Sequence, residues 1–260
     1  MRHSRFAATV LGGRQVPKVA LVLAASAAFV LSSSSANAVM RGGHAGGISR
    51  HVVKLVGHNL LCTATVIGRQ QLLTANHCVE GPGPFFVMAG GKRIAVAGHS
   101  AAGQVTQLTL ASPLPAEIVP IETGSAGSDG SYTIAGFGTA QESARMHSAG
   151  LREARLVNDA KYNALVDPRR RGPISASACM GDSGGPVAKF DGKRYVLVGI
   201  VERVSNYAGI GACGFLTHYS SVSGVSNVAS APAGTTRQVS EPRQPRVSSK
   251  GKRRQWAAAR

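Results

Sequence analysis

"CMGDSGGPV", residues 179–187, sets one serine between an aspartate and a pair of glycines, four residues after a cysteine. Small residues around a serine leave its backbone N–H groups uncovered. That suits a hydroxyl that attacks a carbonyl carbon and must then hold the oxyanion it creates. A serine hydroxyl is nevertheless a weak nucleophile until a neighbouring base takes its proton. Whether Ser183 works therefore depends on a histidine, and on a carboxylate to orient that histidine.

The rest of the 260-residue chain bounds what such a serine could serve. Hydrophobic residues make up 43% and aromatics 5%, and there are 32 glycines. Between residues 48 and 219 short apolar or alternating runs are separated by Gly, Pro, Asn and Asp. "RHVVKLVG" (50–57), "LCTATVIG" (61–68), "FFVMAG" (85–90), "KRIAVAG" (92–98), "SYTIAGFG" (131–138) and "KRYVLVGIV" (193–201) all read as strands. Helical periodicity is scarce, with residues 155–165 the best short candidate. Regularly spaced short strands predict an all-β barrel or sandwich.

The N-terminus reads as an export signal over residues 1–38. Arg2, Arg5, Arg14 and Lys18 stand without any acidic residue, ahead of the 13-residue run "VALVLAASAAFVL" (19–31) and a small-x-small end at Ala36-Asn37-Ala38. That run is short for a bilayer span, so no transmembrane segment is expected in a mature chain beginning at Val39. Removing those four cations from the formal net charge of +17 leaves +13. Much of it sits in residues 223–260, where Arg237, Arg243, Arg246, Lys250, Lys252, Arg253, Arg254 and Arg260 face a single Glu241. Such a composition predicts a disordered basic tail. The tail is either a solubilising segment or a weak contact for anionic surfaces. A lone Trp256 argues against specific nucleic-acid binding. Cys62, Cys78, Cys179 and Cys213 can form two disulfides in an oxidising compartment, with three pairings open. No Cys-x-x-Cys or clustered ligand spacing points to a metal, and no cofactor motif is present. A monomer is expected.

A second segment joins the first. "LLTANHCVEG" (72–81) and "CMGDSGGPV" together resemble the two signatures of the chymotrypsin-like (trypsin-like) serine proteases, T-A-A-H-C and G-D-S-G-G-P, in the family's order. The resemblance covers about residues 39–222. It implies two six-stranded antiparallel β-barrels with the active site in the cleft between them, and a protein or peptide substrate. It makes His77 the general base and Ser183 the nucleophile, with the N–H groups of Gly181 and Ser183 as the oxyanion hole. It also implies Cys62–Cys78 and Cys179–Cys213 disulfides, and an ion pair between Asp182 and the new α-amino group of Val39. The start "VMRGGH" resembles the family's I-V-G-G but carries Arg41 where a glycine is expected.

The pattern breaks at the acid. Aligning "GQVTQLTLASPLP" (103–115) with the family's aspartate segment puts Gln104 at the aspartate, and no Asp or Glu lies between Glu80 and Glu117. Within this family, changing that carboxylate to an amide costs about ten-thousand-fold in turnover. "VGIVERV" (198–204) offers a replacement, because Glu202 stands at a serine that in the family contacts the aspartate. A Ser183–His77–Glu202 triad with Gln104 hydrogen-bonding the glutamate or the imidazole edge is one expectation. A Glu202 facing solvent or Arg203 in an inactive, purely binding protease fold is the other. A tail that carries the main function is a third. Ser177, six residues before the nucleophile, and Val204 at a pocket wall predict a small or medium apolar residue before the scissile bond. "DPRRRGP" (167–173) reads as an exposed loop or a patch for acidic substrates.

Overall fold

The computed structural model describes residues 39–125, 130–139, 150–169, 175–205 and 213–223. The export segment 1–38 and nearly all of the basic tail lie outside those residues. Fourteen strands follow in chain order. They are β1 (Gly43–His44), β2 (Val52–Gly57), β3 (Leu60–Val66), β4 (Gln71–Ala75), β5 (Phe86–Ala89), β6 (Lys92–Ala102) and β7 (Val105–Leu110). Then come β8 (Glu122–Thr123), β9 (Ser131–Gly136), β10 (Arg152–Asp159), β11 (Ala164–Val166), β12 (Pro186–Phe190), β13 (Tyr195–Ser205) and β14 (Leu216–Ser221). The helical content of the described residues is two 3-10 turns, Gly47–His51 and Asn76–Cys78.

The first six-stranded antiparallel barrel closes in the order β2-β3-β4-β7-β6-β5. Alternation drives it: Val53, Leu55, Ala64, Val66, Leu72 and Leu108 turn inward and are buried. The second barrel runs β9-β10-β11-β14-β13-β12 and closes where β12 pairs β9. Ile134, Leu156, Leu165, Val187, Val198 and Val201 fill it. β1 extends the edge of β10, and β8 runs parallel to β13. A third apolar cluster joins Leu73 and Val105 of one barrel to Ala135, Leu197 and Ile200 of the other, so the barrels share a core at their junction. The chain thus adopts the two-barrel, all-β architecture that the resemblance implies.

The expected helix over 155–165 is instead the end of β10, a turn and the start of β11. Arg155 is exposed and Leu156 is buried at 0%, an alternation that only a strand at a barrel wall uses fully. Asn163, at φ +47, ends the intervening turn. Leu156→Ala is expected to cost about 2–5 kcal/mol by chemical denaturation. Arg155→Ala should stay within about 0.5 kcal/mol.

Candidate active site

The loop between Ser177, whose backbone pairs with Met40, and β12 carries Ser183, and two tight backbone bonds shape it. Asp182 N–H donates to the Cys179 carbonyl (3.0 Å), and Gly185 N–H donates to the Asp182 carbonyl (2.9 Å). Gly181 sits at φ +97, where a side chain would be strained. Among the described residues neither the Gly181 nor the Ser183 N–H has a hydrogen-bond partner. Two N–H donors beside one hydroxyl are thereby left uncommitted.

The loop docks on the first barrel through threonines. Thr63 N–H donates to the Ser183 carbonyl (2.9 Å), and Thr63 Oγ1 donates to the Gly181 carbonyl (2.8 Å). Thr65 Oγ1 donates to the Gly184 carbonyl at 3.0 Å. The Cys78 sulfur lies 3.7 Å from the Ser183 carbonyl oxygen. Cys62–Cys78 and Cys179–Cys213 are both disulfides.

Asp182 is 1% exposed and lies directly against Gly138, where a Cβ would come within 2.6 Å of its carboxyl carbon. Its two oxygens accept N–H bonds from Gly138 (2.7 Å) and Cys179 (2.8 Å), and the Val39 N–H is a further donor. Burial nevertheless pushes its carboxyl up to about 7, because these donors only partly replace water. Val39 itself is 0% exposed, so the residue expected to supply a counter-charge is already in place as an amide.

His77 stands on the Asn76–Cys78 turn, directly after β4, and is exposed. A ring nitrogen lies within 4.8 Å of both disulfide sulfurs, which are oxidised and so unavailable as metal ligands. His77 makes no hydrogen bond among the described residues, and the Ser183 hydroxyl donates instead to the Glu202 carbonyl at 3.2 Å. Gln104 occupies the β6–β7 hairpin turn, exposed, and its carbonyl accepts the Asn76 N–H at 3.2 Å. The Gln104 side chain is not joined to His77.

Asn76 replaces the second alanine of the T-A-A-H-C pattern, a signal visible in the sequence whose purpose appears only here. Its Nδ2 donates to the Gly103 carbonyl (2.6 Å), and its Oδ1 accepts from Thr106 Oγ1 (2.7 Å). With the backbone bond, three hydrogen bonds fasten the Gln104 hairpin to the residue before His77.

Glu202 lies in a β-bulge, where Val201 pairs Tyr219 and Arg203 pairs His218. The ladder skips it, which leaves its carbonyl for Ser183. Its half-buried carboxylate accepts a bond from Ser220 Oγ at 2.9 Å, and it forms no ion pair with Arg203. Ser220 has no sequence signal, since only the pairing of β13 with β14 brings it to Glu202.

Ser177, 0% exposed, accepts the Gly214 N–H with its hydroxyl (2.8 Å) and donates to the Ala178 carbonyl (2.8 Å). Its N–H donates to the Met40 carbonyl at 3.3 Å. Val204 packs, half-buried, against the second barrel's core. Neither presents a charge.

The sequence profile described as Trypsin matches residues 41–225. A protein named "Trypsin-like protease" from Streptomyces glaucescens is 28% identical over 256 residues, covering 85% of this chain and 95% of that protein.

Asp182 also generates a pH dependence. Between the ordinary carboxyl value of 3.8 and about 7, the folded chain holds a proton that the unfolded chain has lost. Stability of the chain still carrying residues before Val39 is therefore expected to fall as pH rises from 4 to 7, then to level off. Asp182→Asn should be less stable throughout and lack that slope, as read by urea denaturation at several pH values.

Proposed function

The chain belongs to the trypsin family, and from that premise we propose that it is an exported serine endopeptidase acting through an acyl-enzyme on Ser183. The observation that carries this reading is the pair of uncommitted N–H groups on Gly181 and Ser183 beside the Ser183 hydroxyl. In the reaction His77 takes the hydroxyl proton as Ser183 Oγ attacks the scissile carbonyl. The Gly181 and Ser183 N–H groups hold the resulting oxyanion, and the imidazolium returns the proton to the leaving amine. Water then attacks the ester with His77 again as base.

The acid of the triad is Glu202. The Ser183–Glu202 contact of 3.2 Å supports residue 202 as a neighbour of the nucleophile. Its carboxylate accepts a bond from the Ser220 hydroxyl and acts electrostatically on His218, and it forms no ion pair with a lysine or arginine among the described residues. Gln104 is fastened through its backbone by Asn76, and its exposed side chain makes no contact with His77 or Glu202 among the described residues. The neutral, internally satisfied Ser177 and the apolar Val204 favour a small or medium apolar residue before the scissile bond.

A second reading has one observation behind it: with its hydroxyl on the Glu202 carbonyl and His77 unbonded, the fold would serve as a non-catalytic binding protein. Fluorophosphonate labelling separates the two. Rapid labelling abolished by Ser183→Ala is expected, with no labelling the sign of a binding protein. Glu202→Gln should slow labelling by about 10²–10⁴-fold. Ser220→Ala should slow it roughly tenfold in the parent and not at all in Glu202→Gln, as coupled groups do. A Glu202→Gln protein that labels like its parent removes the relocated acid.

Release of a free α-amino group at Val39 would give Asp182 the cation that its buried site lacks. A chain beginning at Val39 is expected to label faster than one carrying a single extra residue before it. That advantage should fade as pH rises through the pKa of the ammonium, raised by the ion pair above its usual value of about 8.

A further inference from the structure

Away from Ser183 and His77, a cleft of about 490 Å³ opens where the N-terminal segment meets β10 and the loop after β11. Arg41 and Gly42, Glu153 and Arg155, and Pro168 and Arg169 line it. Three arginines from three separate stretches of chain thus line the cleft beside one glutamate, and Arg169 is itself paired with Asp167. Glu153 is already engaged, accepting the Gly46 N–H at 3.0 Å. Arg41 and Arg155 form no ion pair among the described residues. Arg169 is set in place by the buried Asp167, whose Oδ1 accepts both its N–H (2.9 Å) and its Nε (3.2 Å).

Arg41 also holds φ +52, a left-handed backbone that disfavours any residue with a Cβ. The family resemblance leads one to expect glycine there. Glycine would adopt this conformation freely, so what the arginine adds is its side chain. Guanidinium groups pair with planar oxyanions in two-pronged fashion and keep their charge at all relevant pH values.

We propose that this cleft is a binding site for a multivalent oxyanion, phosphate- or carboxylate-bearing, and that its occupancy steadies the active arrangement. The connection is short. Arg41 follows Met40, whose carbonyl accepts the N–H of Ser177 in the specificity pocket (3.3 Å). Asp167, which sets Arg169, also accepts the N–H of Ala176 beside that serine, at 3.0 Å. An anion bridging Arg41, Arg155 and Arg169 ties the N-terminal segment to β10 and to the root of the pocket wall. A ligand that binds only this docked arrangement raises its population.

The experiment titrates inorganic pyrophosphate and citrate into the full mature chain by calorimetry, in parallel with Arg41→Gly and Arg155→Gln. Arg41→Gly relieves the backbone, so misfolding cannot explain a loss of binding. Binding with a Kd below about 1 mM, weakened at least tenfold by each substitution, is the expected result. The tighter of the two probes identifies the ligand as phosphate or carboxylate. Absence of binding by both probes at about 10 mM overturns the site, as does binding that both substitutions leave unchanged, which would lie on the basic tail instead. Thermal denaturation with and without the bound anion reads the steadying effect. An unchanged melting temperature despite binding would refute it. Neither readout depends on catalysis, so failure here is distinct from failure of the protease reading.

Discussion

Thr63 of the first barrel holds, with its own backbone and hydroxyl, the loop of the second that carries Ser183. Its N–H and Oγ1 donate to the Ser183 and Gly181 carbonyls, and its Oγ1 in turn accepts the Phe137 N–H at 3.0 Å. Thr74 Oγ1 donates to the Thr63 carbonyl at 2.9 Å, so the holding residue is itself held. The loop has no regular secondary structure to fix its carbonyls. Turning them toward the first barrel is what frees the two N–H groups of Gly181 and Ser183. Without that docking, the Ser183 hydroxyl, the two N–H groups and the buried carboxylate of Asp182 would have no common frame.

Electrostatics divides the site into an unfinished part and a finished one. Asp182 is buried among amide donors without a cation, and burial raises its carboxyl to about 7. Glu202, less buried, rests on a neutral hydroxyl. Position 104, by contrast, carries no charge, and three hydrogen bonds through Asn76 close its hairpin.

The parts of this site that lie close together in the sequence were legible there. Ser183, Gly181 and Asp182 share one short segment, and His77 and Cys78 another. The strands of the first barrel were readable wherever alternation ran for several residues, as in β2 and β3. The second barrel hid β10 because its "REARLVND" carries long polar side chains, and over so few residues that spacing imitates a helical stripe. Ser220 and Thr63 could not be found at all, since each acts across a strand pairing or a barrel junction rather than along the chain. Asn76 was visible as a departure from the pattern, but its meaning required the Gly103 turn to be brought against it.

The bulge at Glu202 has a consequence for how such a chain can change over generations. A residue inside a regular ladder is committed twice, by its side chain to one face and by its backbone to a rung. Position 202 is released from the second commitment, since the pairing passes from Val201 directly to Arg203. A serine there can become a glutamate without shifting the register that seats Val204 and Thr217. The barrel is indifferent to the exchange, so inheritance can try new acids at the edge of the cleft while the fold stays the same.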